Sequence, residues 1–111
     1  MNPYYDNEKL DLKLITFDEP NMSYEYNTLC FWATKDGRVY TAADSGCSCP
    51  TPFEGYSGED IDSVLQKLER IGSLEQALKS FDSWNIGYDN RPYVSISERK
   101  SLEDFVNSNL K

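Results

Sequence analysis

The sequence predicts an α+β fold: a small antiparallel sheet of three or four strands, with a helix hairpin and a C-terminal helix packed on one face. Three observations predict it. Apolar and polar residues alternate with period 2 in the first strand-like segment, Asp36-Gly37 stands between two β-rich runs, and stripes at helical spacing follow Gly58. The length of 111 residues fits one domain, residues 1–111. Its polar, Tyr-rich start, residues 1–8, is expected to be loosely ordered.

Each element has its own signal. Leu10, Leu12 and Leu14 face one way and Asp11, Lys13 and Ile15 the other, which predicts a half-buried strand from Lys9 to Phe17. A helix would set Leu10 and Leu12 about 200° apart. Pro20 and Asn21 then make a turn. A second strand is expected from Tyr24 to Thr34 and a third from Val39 to Asp44, joined by a two-residue Asp36-Gly37 turn. That turn would pair Thr34 with Val39, Trp32 with Thr41, Phe31 with Ala42 and Cys30 with Ala43. One face would carry Leu29, Phe31, Ala33, Tyr40 and Ala42, and the other Cys30, Trp32, Val39 and Thr41. Residues 44–58, rich in Gly, Pro, Ser and Cys, have no period and predict a loop without helix or central strand, of which 44–54 is expected to be ordered.

Ile61, Val64, Leu65, Leu68 and Ile71 form a helical stripe that Gly72 should stop in a left-handed conformation. Ser73 with Gln76 reads as the capping box of a second helix carrying Leu74, Ala77, Leu78, Phe81 and Trp84. Arg91-Pro92-Tyr93-Val94 reads as a short edge strand. Ser95 or Ser97 would cap a last helix carrying Leu102, Phe105, Val106 and Leu110.

Charge limits function. There are 19 acids against 11 bases, a net charge of −8, which disfavours direct binding to nucleic acid or anionic lipid. The absence of His removes Ser–His and Cys–His dyads and imidazole acid–base chemistry. The first residues lack a signal-peptide pattern and no apolar run spans a bilayer, so a cytoplasmic protein is expected. Three Cys fit a disulfide framework poorly.

Three groups could carry chemistry. In the first, Cys47-x-Cys49 places two thiols about 6–7 Å apart along an extended chain. Cys30 could join them, with Asp44 adding an oxygen. One C-x-C and a lone Cys make a poor zinc pattern, a Cys47–Cys49 disulfide would be strained, and no Lys or Arg lies between 39 and 66 to activate a thiolate. Cys47 and Cys49 therefore read as small fillers of a loop anchored by Phe53, with Asp44, Ser45 and Ser48 as its polar groups and Glu54 beyond. No metal or cofactor is expected. In the second, Glu59, Asp60 and Asp62 could bind Mg²⁺ or serve a paired-acid role, but acids at a helix N-terminus have an ordinary electrostatic explanation. In the third, the aromatics Tyr24, Tyr26, Trp32, Tyr40, Phe53, Tyr56, Trp84 and Tyr88 exceed what so small a core would bury. They would either cover the second sheet face or anchor a protein interface.

The run Tyr24-Glu25-Tyr26-Asn27-Thr28-Leu29-Cys30-Phe31-Trp32, then Asp36-Gly37-Arg38-Val39-Tyr40, then Ala43 through Glu54 resembles a family of short bacteriophage proteins of unassigned activity. Its specific part is Asp44–Glu54. The resemblance implies expression inside a host cell and carries over no catalytic residue. Together with the acidity it predicts a non-enzymatic protein that binds a host protein. A basic, nucleic-acid-binding target would be inhibited as anti-CRISPR and other anti-defence proteins do, with carboxylates where phosphates would lie. The competing expectation is a small ligand, such as a nucleotide, or a metal at the Asp44–Glu54 loop.

Overall fold

The computed structural model describes residues 1–47 and 51–111. Its elements are β1 (Lys13–Asp18), β2 (Glu25–Ala33), β3 (Val39–Cys47), α1 (Ile61–Leu65), β4 (Glu69–Ile71), α2 (Leu74–Trp84) and α3 (Ile96–Asn109), with 3-10 turns at Glu54–Tyr56 and Tyr88–Asn90. The four strands make one antiparallel meander in the order β1-β2-β3-β4. This is the α+β fold that the sequence predicts, with four strands and a C-terminal helix.

β2 is the centre, and its two faces build two apolar layers. Leu29, Phe31 and Ala33 point into a cluster with Phe17, Ile71, Phe81, Leu102 and Val106, which α2 and α3 cover. Cys30 and Trp32 point the other way, among Leu10, Leu12, Tyr40, Phe53, Val64, Leu65 and Leu68. α1 therefore lies across the sheet from α2 and α3. Burial on both sides explains why β2 is apolar at odd and even positions alike.

The hairpin register differs from the expected one by one residue. Ala33 pairs with Val39, Trp32 with Tyr40, Phe31 with Thr41 and Cys30 with Ala42. Thr34 N–H donates to the Arg38 carbonyl at 2.9 Å and Gly37 N–H to the Thr34 carbonyl at 3.2 Å. The loop is thus three residues, Lys35-Asp36-Gly37, with Gly37 at φ 93° as the bulge residue. Thr34 and Arg38 both bond the Asp36 side chain, which fixes this longer turn. One residue of slip exchanges the faces of β3: Val39 joins the α2–α3 layer and Tyr40 joins Trp32.

Residues 61–71 do not form one helix. α1 ends at Leu65, and Glu69–Ile71 pairs with Val39–Thr41 as β4. Val64, Leu65 and Leu68 bury on one side of the sheet and Ile71 on the other, a division that a single helical stripe cannot make. The expected helix hairpin becomes α1–β4–α2. Gly37 is the one described glycine with positive φ, so Gly72 is not a left-handed stop. Ser73 does cap α2, accepting from Gln76 N–H at 3.1 Å, while Gln76 reaches back to Gly72 N–H at 2.8 Å.

The remaining corrections are local. β1 starts at Lys13 rather than Lys9, because Asp11 takes φ 56° and interrupts the alternation. Leu10 and Leu12 still bury, through turns. Residues 1–8 pack rather than hang loose at their start. Asn2 donates to the Phe53 carbonyl at 2.7 Å, and Trp32 Nε1 donates to the Pro3 carbonyl at 2.9 Å. Asp44–Cys47, expected as loop, continues β3 opposite Glu25–Thr28. Gly46 allows this by lying under the Tyr26 ring, whose hydroxyl oxygen sits 3.3 Å from where a Cβ would be. Residues 91–94 are not a strand; Asn85 holds Val94 by both backbone groups, at 2.9 and 3.2 Å. Ser95 takes the N-cap position of α3 without a side-chain cap bond. Among the described residues no helix is long and apolar enough to cross a membrane.

Candidate functional site

One end of the sheet is acidic and free of bases, whereas the other mixes both signs. No base occurs from residue 14 to 34 or from 39 to 66, whereas Asp18, Glu19, Glu25, Asp44 and Glu54 lie in those spans. The antiparallel register carries Asp18, Glu19 and Glu25 to the same sheet end as Asp44, away from the β2–β3 turn. Around that turn sit Lys13, opposite Ala33, Arg70, opposite Tyr40, and Lys35 and Arg38 in the turn or beside it, with Asp11 3.4 Å from Lys35 and Asp36 3.0 Å from Arg38. Lys111 joins them, donating its N–H to the Gly37 carbonyl at 2.9 Å.

Two hydrogen-bonded groups give the acidic end its shape. Asp44 accepts from Phe53 N–H at 2.7 Å and from the Tyr26 hydroxyl at 3.1 Å, and its other oxygen from Ser45 N–H at 3.1 Å. Partial desolvation, then the bond to Asp44, raises the Tyr26 phenol above its ordinary pKa. On the α2–α3 side, Asn27 donates to Glu19 at 3.1 Å and accepts from Trp84 Nε1 at 3.0 Å. Tyr93 stacks tilted on Trp84 at 5.2 Å. Desolvation and then the Glu19 carboxylate raise the Tyr93 phenol. Beside these rigid groups stand Tyr24, 81% exposed, and Tyr88, 97% exposed.

The sequence-predicted site residues divide. Asp44, Ser45 and Cys47 share the end of β3, and Glu54 follows Phe53 at the point where Asp44 holds the chain. Phe53 is fully buried at φ 62°, stacked on Tyr4 at 5.2 Å and edge-on to Trp32 at 5.7 Å. Trp32 and Tyr40 are buried too, so these three aromatics build the second sheet face, and Tyr40 also lines a surface hollow beside Arg38 and Arg70. Asp60 caps α1 by accepting from Ser63 N–H at 2.9 Å, which holds its carboxyl below the usual range. Asp60 lines a surface hollow with Lys35 and Arg38, and Asp62 another with Arg38 and Arg70, so both belong to the turn end. Glu59 precedes them, exposed.

Cys30 is buried opposite Ala42, and burial pushes its thiol far above the ordinary range. Cys47 lies five residues further along β3 than Ala42, about 17 Å at strand rise. Cys30 and Cys47 therefore do not meet, and no three-residue group suited to a metal occurs among the described residues. Ser48, Cys49 and Pro50, and with them the Cys47–Cys49 question, lie outside the described residues.

Sequence reasoning did not name Asp18, Glu19 and Glu25 as site residues, although it counted Tyr24 among the aromatics that could anchor an interface. Their signal was available: a base-free span from 14 to 34 preceding another from 39 to 66, folded together by one hairpin. A family model described as "Domain of unknown function (DUF7574)" matches residues 1–107. No curated protein and no solved structure gives a significant match.

Proposed function

We propose, for a chain that belongs to the DUF7574 family of unknown function, a non-enzymatic role: it binds a basic protein through the acidic end of its sheet. The observation that carries this is the base-free acidic end, where strand register gathers Asp18, Glu19, Glu25 and Asp44. Tyr24, exposed beside Glu25, supplies the aromatic anchor that such surfaces use. Opposed charge steers encounter and fixes orientation, and Tyr supplies contact area.

The resemblance to short bacteriophage proteins extends this reading. The chain would act in the host cytoplasm on a basic, nucleic-acid-binding host protein. It would inhibit that protein as an anti-defence factor by covering the surface where phosphates lie. A small-ligand role at Asp44–Glu54 has less support, since both Asp44 oxygens already accept from the chain's own donors.

The test is capture from host lysate at two salt concentrations, with the wild type and a Tyr24→Ala/Glu25→Lys variant side by side. Both side chains are exposed and neither makes a hydrogen bond among the described residues, so the variant should fold. A basic protein retained at low salt, shed at high salt and lost by the variant is expected. A partner held equally by both proteins, or indifferent to salt, would overturn the assignment.

A further inference from the structure

We propose that the outer edge of β1 is a self-association surface, along which two copies pair antiparallel and join their sheets. The inference does not rest on the basic partner proposed above, although Asp18 and Glu19 belong to both surfaces. Among the described residues β1 pairs only with β2. Glu19 N–H donates to the Asn27 carbonyl at 2.9 Å, which extends the β1–β2 ladder by one step and sets its phase. Odd positions of β1 therefore bond to β2, and the amides and carbonyls of Leu14, Thr16 and Asp18 turn outward. Among the described residues no turn, loop or cap bond of the main chain reaches them.

The two sheet edges are treated differently. β4 is three residues long, and two of them, Glu69 and Arg70, are exposed charges, the usual protection of an edge. β1 has six residues, Leu14 to Thr16 half-buried, with charge only at Lys13 and Asp18. It holds no Pro and no bulge. Asp11, at φ 56°, and Pro20 close it at either end, so the open edge has a fixed length.

That length selects a register. Antiparallel pairing about a two-fold axis keeps each face of one sheet continuous with the same face of the other. With Thr16 opposite Thr16 of the second copy, Leu14 falls opposite Asp18 and every outward amide and carbonyl is used. The same register puts Lys13 opposite Glu19 of the second copy, twice, on the face of α2 and α3. Opposite charges at directly facing positions favour pairing. Antiparallel pairing also lays the turn end of one copy, where Lys13 and Lys111 stand beside the Lys35–Asp11 pair, against the base-free end of the other that carries Asp18, Glu19 and Glu25.

Sedimentation equilibrium on the whole chain tests the proposal. The wild type should dimerise at up to about 500 μM, more weakly as salt rises. Thr16→Pro removes one outward N–H, which an edge strand tolerates, and should give a monomer with an unchanged denaturant midpoint. Lys13→Glu should weaken association about tenfold. Adding Glu19→Gln, which can still accept from Asn27, should recover part of the loss. If Thr16→Pro fails to fold, the Lys13 and Glu19 variants decide. A wild type that stays monomeric at the highest concentration leaves the edge to an extended segment of another protein and overturns self-pairing. A dimer indifferent to both Thr16→Pro and Lys13→Glu overturns it equally.

Discussion

Phe53 and Asp44 show how single residues organise this protein. Phe53 occupies a left-handed conformation that Gly or Asn would adopt at less cost, and it does so with its ring fully enclosed by Tyr4, Trp32 and Tyr56. The burial outweighs the backbone strain. Asp44 completes the arrangement by taking the Phe53 N–H. Phe53→Ala should lower stability by about 3–5 kcal/mol, as removal of a buried ring does. Asp44→Ala should cost less, about 1–3 kcal/mol, because it strands the Phe53 donor without opening a cavity. Denaturant midpoints check both. If Phe53→Ala leaves stability unchanged while Asp44→Ala abolishes a small-ligand signal, the loop is a polar ligand site and its shape is secondary.

At the scale of elements, the segment between β3 and α2 is the informative one. α1 has five residues, too few to persist alone, and is held by Val64 and Leu65 packed under Trp32 and Phe53. Leu65→Ala should cost about 2–4 kcal/mol. Leu78, on α2, is only half-buried and flanks the opposite layer, so Leu78→Ala should cost about half as much. Chemical denaturation of the two variants measures the difference. Equal losses would mean that α1 and α2 contribute alike to the core, contrary to their burial.

At the scale of the whole molecule, charge governs pH response. Asp36, bonded by Thr34 and Arg38, Asp60, bonded by Ser63, and Asp82, bonded by Arg99, all have carboxyls held below their ordinary value near 3.8. A depressed folded-state pKa contributes stability that is present above the unfolded value and is lost as pH falls through the folded one. Thermal midpoints should therefore be flat from about pH 5 to 8 and fall below about pH 4. A midpoint that rises on acidification would show that relief of net negative charge outweighs these three local bonds.

The sequence by itself determined the strand content of β1 to β3, α2 with its Ser73 cap, α3, the ordered Phe53 anchor and the negative surface. Each of these follows from local period, local capping chemistry or composition, which a folded neighbour need only accept. Tertiary structure decided the rest. The one-residue shift of the hairpin depended on a Thr34–Asp36–Arg38 bond set that turn composition does not reveal, and it exchanged the faces of β3. β4 replaced half of a well-formed helical stripe because Ile71 finds its place across the sheet from Leu68, opposite Val39. Residues 1–3 are fixed by Trp32, Phe53 and Ser57, partners at least 29 positions away. The acidic end was written in the base-free spans, yet only the antiparallel register brought those spans together, because register is a property of pairs of strands and not of either strand alone.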